Sequence, residues 1–112
     1  MKSFRFVSEA AREDYLALPR KVRRKFGTVL RQVQAGEPTH CIKDVSMAVG
    51  AGAAEVVQNG SPAYRAIFCS KFSDAVCVLH AFTKTAQGVD RTNLARARKR
   101  YKAMRSSGLA SQ

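Results

Sequence analysis

The chain has 112 residues, 46% of them apolar, enough for one domain with one modest core and too many for a disordered chain. Twenty Lys and Arg against eight Asp and Glu give a net charge of +12 and an isoelectric point near 10.4. An excess of that size calls for a polyanionic partner, with nucleic acid the first expectation, or for an acidic protein that masks it.

No apolar run approaches the ~20 residues of a membrane span. The N-terminal stretch MKSFRFVSEAAREDYLALPR carries acidic groups and no continuous apolar segment, so no secretory leader is expected. The three cysteines, Cys41, Cys69 and Cys77, form no CxxC pair. A cytoplasmic protein with reduced thiols is the expectation, although Cys69 and Cys77 can face each other across a hairpin. The two histidines do not fall at ligand spacing from the cysteines, so no metal site is expected.

In chain order, SFRFV (3–7) alternates and reads as a short strand. Ser8 precedes EAAREDYLAL and marks a helix start with acidic residues in its first turn. Pro19 interrupts that helix and opens the next, PRKVRRKFGTVLRQVQAG. Val22, Phe26, Val29, Leu30 and Val33 recur at steps of three and four and form its apolar stripe. Gly36 caps its end, and Glu37-Pro38 turns the chain. Residues 39–53 are weakly patterned and rich in small residues, and read as a short strand followed by a loop. AAEVVQ (53–58) reads as a strand and NGSP (59–62) as a tight turn. AYRAIFCSKF (63–72) and AVCVLHAFTK (75–84) are longer strands joined at Ser73-Asp74. Asp90 then caps a final helix marked by Leu94, Ala97, Tyr101 and Met104.

The order strand, helix, helix, strands, helix predicts an α+β fold. Two N-terminal helices pack on one face of a small antiparallel meander sheet, a basic C-terminal helix follows, and the other sheet face stays available. The domain is expected to span residues 1–105, with a frayed tail over 106–112.

Several segments in this order are similar to a known family: LALPRKVRRKFGTVLRQVQAGEP, AAEVV, AYRAIF, DAVCVLHAFTKT and NLARARKRYK. The most specific pieces are Ala63-Tyr64-Arg65, the run Val78 to Lys84, and the helix from Ala95 to Arg100. Over residues 4–104 the chain resembles the RelE/HigB toxin superfamily, in its phage-related HigB-like branch. The resemblance implies a RelE-like fold and a toxin of a type II toxin–antitoxin module. Such a toxin is a ribosome-dependent mRNA endonuclease that works without a cofactor or metal, by attack of a ribose 2′-OH on the adjacent phosphate. Its implied partners are the ribosome, mRNA and a cognate antitoxin, commonly a helix-turn-helix protein, and no membrane. Two alternatives stay open: a ParE-like gyrase inhibitor, and an inactive relative that only binds its antitoxin.

RNA cleavage of this kind needs a base for the 2′-OH, an acid for the leaving oxygen and positive charge at the phosphate. Arg65 is the first candidate, because a charge in mid-strand needs a partner or a ligand, and the family's matching arginine stabilises phosphate. Its bland reading is an ion pair with a sheet carboxylate such as Glu55, or a side chain reaching off the sheet edge. Lys84 matches the basic position that ends this strand in the family; its bland reading is a solvated strand end. His80 can shuttle protons near neutral pH. It shares the even-numbered face with Val76, Val78, Phe82 and Lys84 if the strand is regular, and a lone histidine on an apolar face is more often a hydrogen-bonded core residue. Tyr64 points to the opposite face from Arg65, toward the helices. Two cation-rich helix faces complete the footprint expected for RNA phosphates: Arg20, Lys21, Arg23, Arg24 and Lys25, then Arg91, Arg96, Arg98, Lys99 and Arg100. The pattern departs from the family at Val57 and Thr85, where many relatives carry cations.

Overall fold

The computed structural model describes residues 1–72, 74–85 and 87–107. Two of the three helix starts read from the sequence close on a side-chain hydrogen bond there. The Ser8 hydroxyl accepts from the Ala11 amide at 3.1 Å and starts α1 (Glu9–Leu16). Pro19 occupies the cap position of α2 (Arg20–Ala35), and Gly36 ends it in the left-handed conformation at φ 71°. The Asp90 carboxylate accepts from the Asn93 amide and caps α3 (Arg91–Ser106). Of the tail expected to fray, Ser106 and Ser107 close α3, and residues 108–112 lie outside the described residues.

Five strands form one sheet: β1 (Ser3–Phe6), β2 (Ile42–Asp44), β3 (Ala53–Gln58), β4 (Ala63–Cys69) and β5 (Ala75–Lys84), in the order β1-β5-β4-β3-β2. The meander from β2 to β5 is antiparallel throughout. β1 is parallel to β5, with Ser3 opposite Ala75 and Phe6 opposite Val78. The sheet is therefore mixed, which corrects the expectation of a purely antiparallel one. β2 closes one edge of the meander, and β1 takes backbone partners on the other. The alternation in SFRFV suits either direction.

The sheet is covered on both faces, a second correction. On one side Tyr15, Leu18, Val22, Phe26 and Leu30 of the α1–α2 layer pack against Val56, Ala66, Phe68, Val76 and Val78, with Tyr64 beside them. On the other, Ala97, Tyr101 and Met104 of α3 pack against Val45, Val49, Ile67, Cys77 and Leu79. The face expected to stay available is closed by α3 because that helix carries its own apolar stripe. Gly50 makes this approach possible. Its φ is 154°, and a Cβ there would lie 2.2 Å from Cε1 of Tyr101. The Tyr101 hydroxyl donates to the Ala51 carbonyl at 2.9 Å.

β5 is not regular. Ile67 pairs with His80 but Phe68 pairs with Val78, so Leu79 has no opposite residue. This shift splits the even-numbered face expected of the strand. Val76 and Val78 lie under α1 and α2, whereas Phe82 joins the α3 side. Past the shift, Phe82 and Lys84 stand on the face that carries Arg65.

Candidate functional site

Alternation along β3 and β4 sends Val56, Ala66 and Tyr64 toward the α1–α2 layer and leaves Glu55 and Arg65 on the α3 side. Arg65 lies opposite Phe82, and Lys84 lies opposite Ala63. With Lys43, Gly88, Val89, Asp90 and Leu94 these side chains line a cavity of about 330 Å³. An adjoining concavity of about 560 Å³ shares Arg65, Lys84 and Gly88 and adds Thr85 and the 60–63 turn. Arg65 and Lys84 thus stand where the two hollows meet, in one cleft between the sheet and the start of α3.

Arg65 is held firmly. Its Nε lies 3.4 Å from Oε1 of Glu55, Nη1 donates to the carbonyls of Gln58 (3.1 Å) and Tyr64 (2.9 Å), and Nη2 donates to Oδ1 of Asn59 (3.3 Å). The pairing with Glu55 foreseen as the bland reading is present, and it lies inside the cleft. Burial pushes the Glu55 carboxyl above its ordinary range, and the nearby cations Arg65, Lys43 and Lys84 oppose the shift. Glu55 is consequently a more basic carboxylate than one at the surface. Lys84 donates from Nζ to the Gly88 carbonyl and is half-buried. A cation that lines the cavity beside Phe82 suits a phosphate.

His80 lies behind this cleft and is 2% exposed. Its ring stacks on Phe82 with centroids 5.1 Å apart. Nε2 is 2.6 Å from Oδ1 of Asn93, and Nδ1 is 3.2 Å from Oδ2 of Asp14 and 3.1 Å from Nη1 of Arg100. Both ring nitrogens are occupied within the protein.

The helical cations divide between two sides of the molecule. Arg91, Arg96, Arg98 and Lys99 are exposed on α3, the helix that borders the cleft. Arg100 turns inward and donates to Asp14 Oδ2 at 2.7 Å and to the Leu79 carbonyl at 3.2 Å. Arg20, Lys21, Arg24 and Lys25 are exposed on α2, across the sheet from the cleft. Arg23 is half-buried and donates from Nε to the Leu18 carbonyl at 3.1 Å.

Glu55 is the site residue that the sequence reading passed over except as a partner for Arg65. Its signal was a carboxylate inside the apolar strand AAEVVQ, two residues before Val57, which lies opposite Arg65. Among the described residues no group of three or more His, Cys, Asp or Glu is placed to hold a metal ion. No helix among them is long and apolar enough to cross a membrane.

A mixed five-stranded sheet between a helix pair and a basic C-terminal helix is the RelE-like α+β fold. A solved structure described as the isolated E. coli RelE toxin superposes with a TM-score of 0.58, at 18% identity, over 88% of this chain and 99% of that chain. A family model described as phage derived protein Gp49-like (DUF891) matches residues 13–102, and the chain belongs to that family. No curated protein matches the sequence. The resemblance to the RelE/HigB toxins therefore holds at the level of family and fold.

Proposed function

We propose that the cleft binds an RNA strand and that the protein is the toxin of a type II toxin–antitoxin module, an mRNA endonuclease acting on the ribosome and neutralised by an antitoxin. The observation that carries this reading is the meeting of Arg65, Lys84 and the buried Glu55 in one cavity. In this assignment Glu55 accepts the proton of the attacking 2′-OH, which its desolvated carboxylate favours. Arg65 stabilises the charge added at the phosphate, and Lys84 stabilises or protonates the leaving oxygen. The exposed cations of α3 are proposed to hold RNA phosphates around the cleft, and those of α2 to hold ribosomal RNA phosphates on the opposite side of the sheet.

The test is induced expression followed by mapping of mRNA ends. Growth arrest with cuts on translated messages is expected, and Arg65→Ala should remove both. Intact mRNA and normal growth with soluble protein verified would reject the reading.

One observation favours a second reading, a relative that binds its antitoxin or target without cutting. Both Nη1 hydrogens of Arg65 are engaged by protein carbonyls, and Val57, opposite Arg65, and Thr85, in the cleft lining, stand where the resemblance supplies cations. Antitoxin binding by a protein that causes no growth arrest would support this form. Gyrase-dependent DNA damage with unaltered mRNA would support the ParE-like form.

A further inference from the structure

The ring of His80 is where three elements meet. Asn93 sets its tautomer. The amide nitrogen of Asn93 donates to Asp90 Oδ2 at 2.9 Å, so the atom facing His80 is an acceptor and His80 Nε2 carries the proton. Nδ1 faces Arg100 Nη1 at 3.1 Å and Asp14 Oδ2 at 3.2 Å. The ring thus touches α3 at two residues seven apart, roughly 10 Å along the helix. It reaches α1 through Asp14, which is bound to the same Arg100 nitrogen.

From Asn93 the contacts run on to the cleft. The backbone and side-chain nitrogens of Asn93 hold both carboxylate oxygens of Asp90. Asp90, Val89 and Gly88 line the cavity with Arg65 and Lys84, and Lys84 itself donates to Gly88. Phe82, also in the lining, rests on the His80 ring. Two parts of the cleft lining therefore depend on one imidazole that is almost wholly buried.

We propose that His80 is a positioning residue: through Asn93 and Asp90 it fixes the first turn of α3, and with it the side of the cleft that faces Arg65 and Lys84. This rests on the reading of the cleft as an RNA site. No proton transfer to RNA is assigned to His80. The charged groups that face it are Asp14 from α1 and Arg100 from α3, with Asp90 behind Asn93. They bind each other as well as the ring, and a neutral imidazole completes the set without adding a charge.

The test compares His80→Gln with Asn93→Ala in the full chain. Asn93→Ala breaks the relay and leaves the buried ring in place, so it serves where His80→Gln fails to fold. Amide hydrogen exchange without RNA is read first. Residues 91–94 should exchange about tenfold faster in both variants, while the β4–β5 amides keep their protection. Unchanged exchange of that turn in Asn93→Ala overturns the proposal. Cleavage of a short mRNA held in purified ribosomes, or binding of the protein to those ribosomes where no cleavage occurs, is read second. KM or Kd should rise about tenfold in both variants, more than kcat falls, with the limbs of the pH–rate profile unmoved. Loss of one limb in His80→Gln, with KM unchanged, would make His80 a proton-transfer group and overturn the proposal. Faster exchange in the variants, with no binding of the wild-type protein to mRNA-loaded ribosomes, supports the positioning of α3 and overturns the RNA reading instead.

Discussion

His80 Nε2 lies 2.6 Å from Asn93 Oδ1 while its Nδ1 faces Arg100 Nη1 at 3.1 Å and Asp14 Oδ2 at 3.2 Å, so both ring nitrogens are engaged in the folded protein. Burial lowers the imidazole pKa from its ordinary 6.5, against the opposing pull of Asn93 and Asp14. The sign of the resulting pH dependence follows. As pH falls through about 6.5 the unfolded chain takes up a proton on His80 that the folded chain still refuses. The contribution of His80 to stability is therefore complete above that value and is lost as pH falls toward the folded-state value. Urea midpoints at pH 7.5 and 5.5 should show a decline in the wild type that is smaller in His80→Gln. Equal declines would reject the assignment.

Arg65 and Glu55 are separable by mutation. Arg65→Ala leaves a carboxylate buried without its nearest cation, and should cost about 2–3 kcal/mol at pH 7. The deficit should shrink as pH falls and Glu55 takes up a proton. Arg65→Ala with Glu55→Gln should recover most of the stability, and Arg65→Ala alone should lose ~10²–10³ in cleavage rate. Chemical denaturation and a growth assay on the same variants check both halves. Cleavage retained by Arg65→Ala would remove Arg65 from the chemistry.

Glu55→Gln alone separates base from scaffold. The amide keeps the shape of the side chain, so the fold should persist while cleavage falls by ~10²–10⁴. Because burial raises this carboxyl, the stability it contributes is complete below about 4.5 and is lost as pH rises through the folded-state value, opposite in sign to His80. Glu55→Gln should flatten that part of the stability profile and remove the acidic limb of the rate profile. An unchanged rate profile would exclude Glu55 as the base.

The parts of this molecule that are legible in its sequence are those governed by local rules. Ser8, Gly36 and Asp90 mark helix ends because their caps form within a few residues, and the stripe from Val22 to Val33 needs only the helical period. Pairing partners distant in sequence leave a fainter trace. SFRFV alternates in the same way whether it runs parallel or antiparallel, and the displaced Leu79 sits in an unbroken apolar run that hides a change of face. That same run, eight buried residues from Ala75 to Phe82, is the mark of a strand covered on both sides, which the expectation of an open sheet face overlooked. The cleft was half legible. Arg65 and Lys84 announce themselves as cations on strands. Glu55 and Asp90 gain meaning only when β3 and the start of α3 converge on the same hollow.

The cysteines should differ sharply in reactivity. Cys69 and Cys77 lie directly opposite each other on β4 and β5 as free, buried thiols, and Cys41 is exposed. Burial pushes Cys77 up to about 11, with Cys69 adding to the shift, and burial also raises Cys69. Brief alkylation of the native protein at pH 8 should label Cys41 and spare the other two until denaturant is added. Peptide mass spectrometry checks this, and rapid native labelling of Cys77 would contradict the packing under α3.

Gly50 predicts a steric effect. Gly50→Ala places a methyl group into the Tyr101 ring at a backbone angle that L residues rarely adopt, and should cost about 2 kcal/mol or more. Tyr101→Ala in the same background should cost less than it does alone, since the clash is then already absent. Additive losses measured by thermal unfolding would contradict a direct contact.

The parallel seat of β1 ties the first residues of the chain to its last third. Ser3–Phe6 has no strand to join until Ala75–Val78 has been synthesised and paired with β4. During translation the aromatic pair Phe4 and Phe6 therefore emerges about seventy residues before its partner. Until then a basic N-terminal segment with an unpaired strand edge is available to a holding factor, and the cleft does not exist. Assembly of the charged hollow thus waits until β5 and then α3 have emerged.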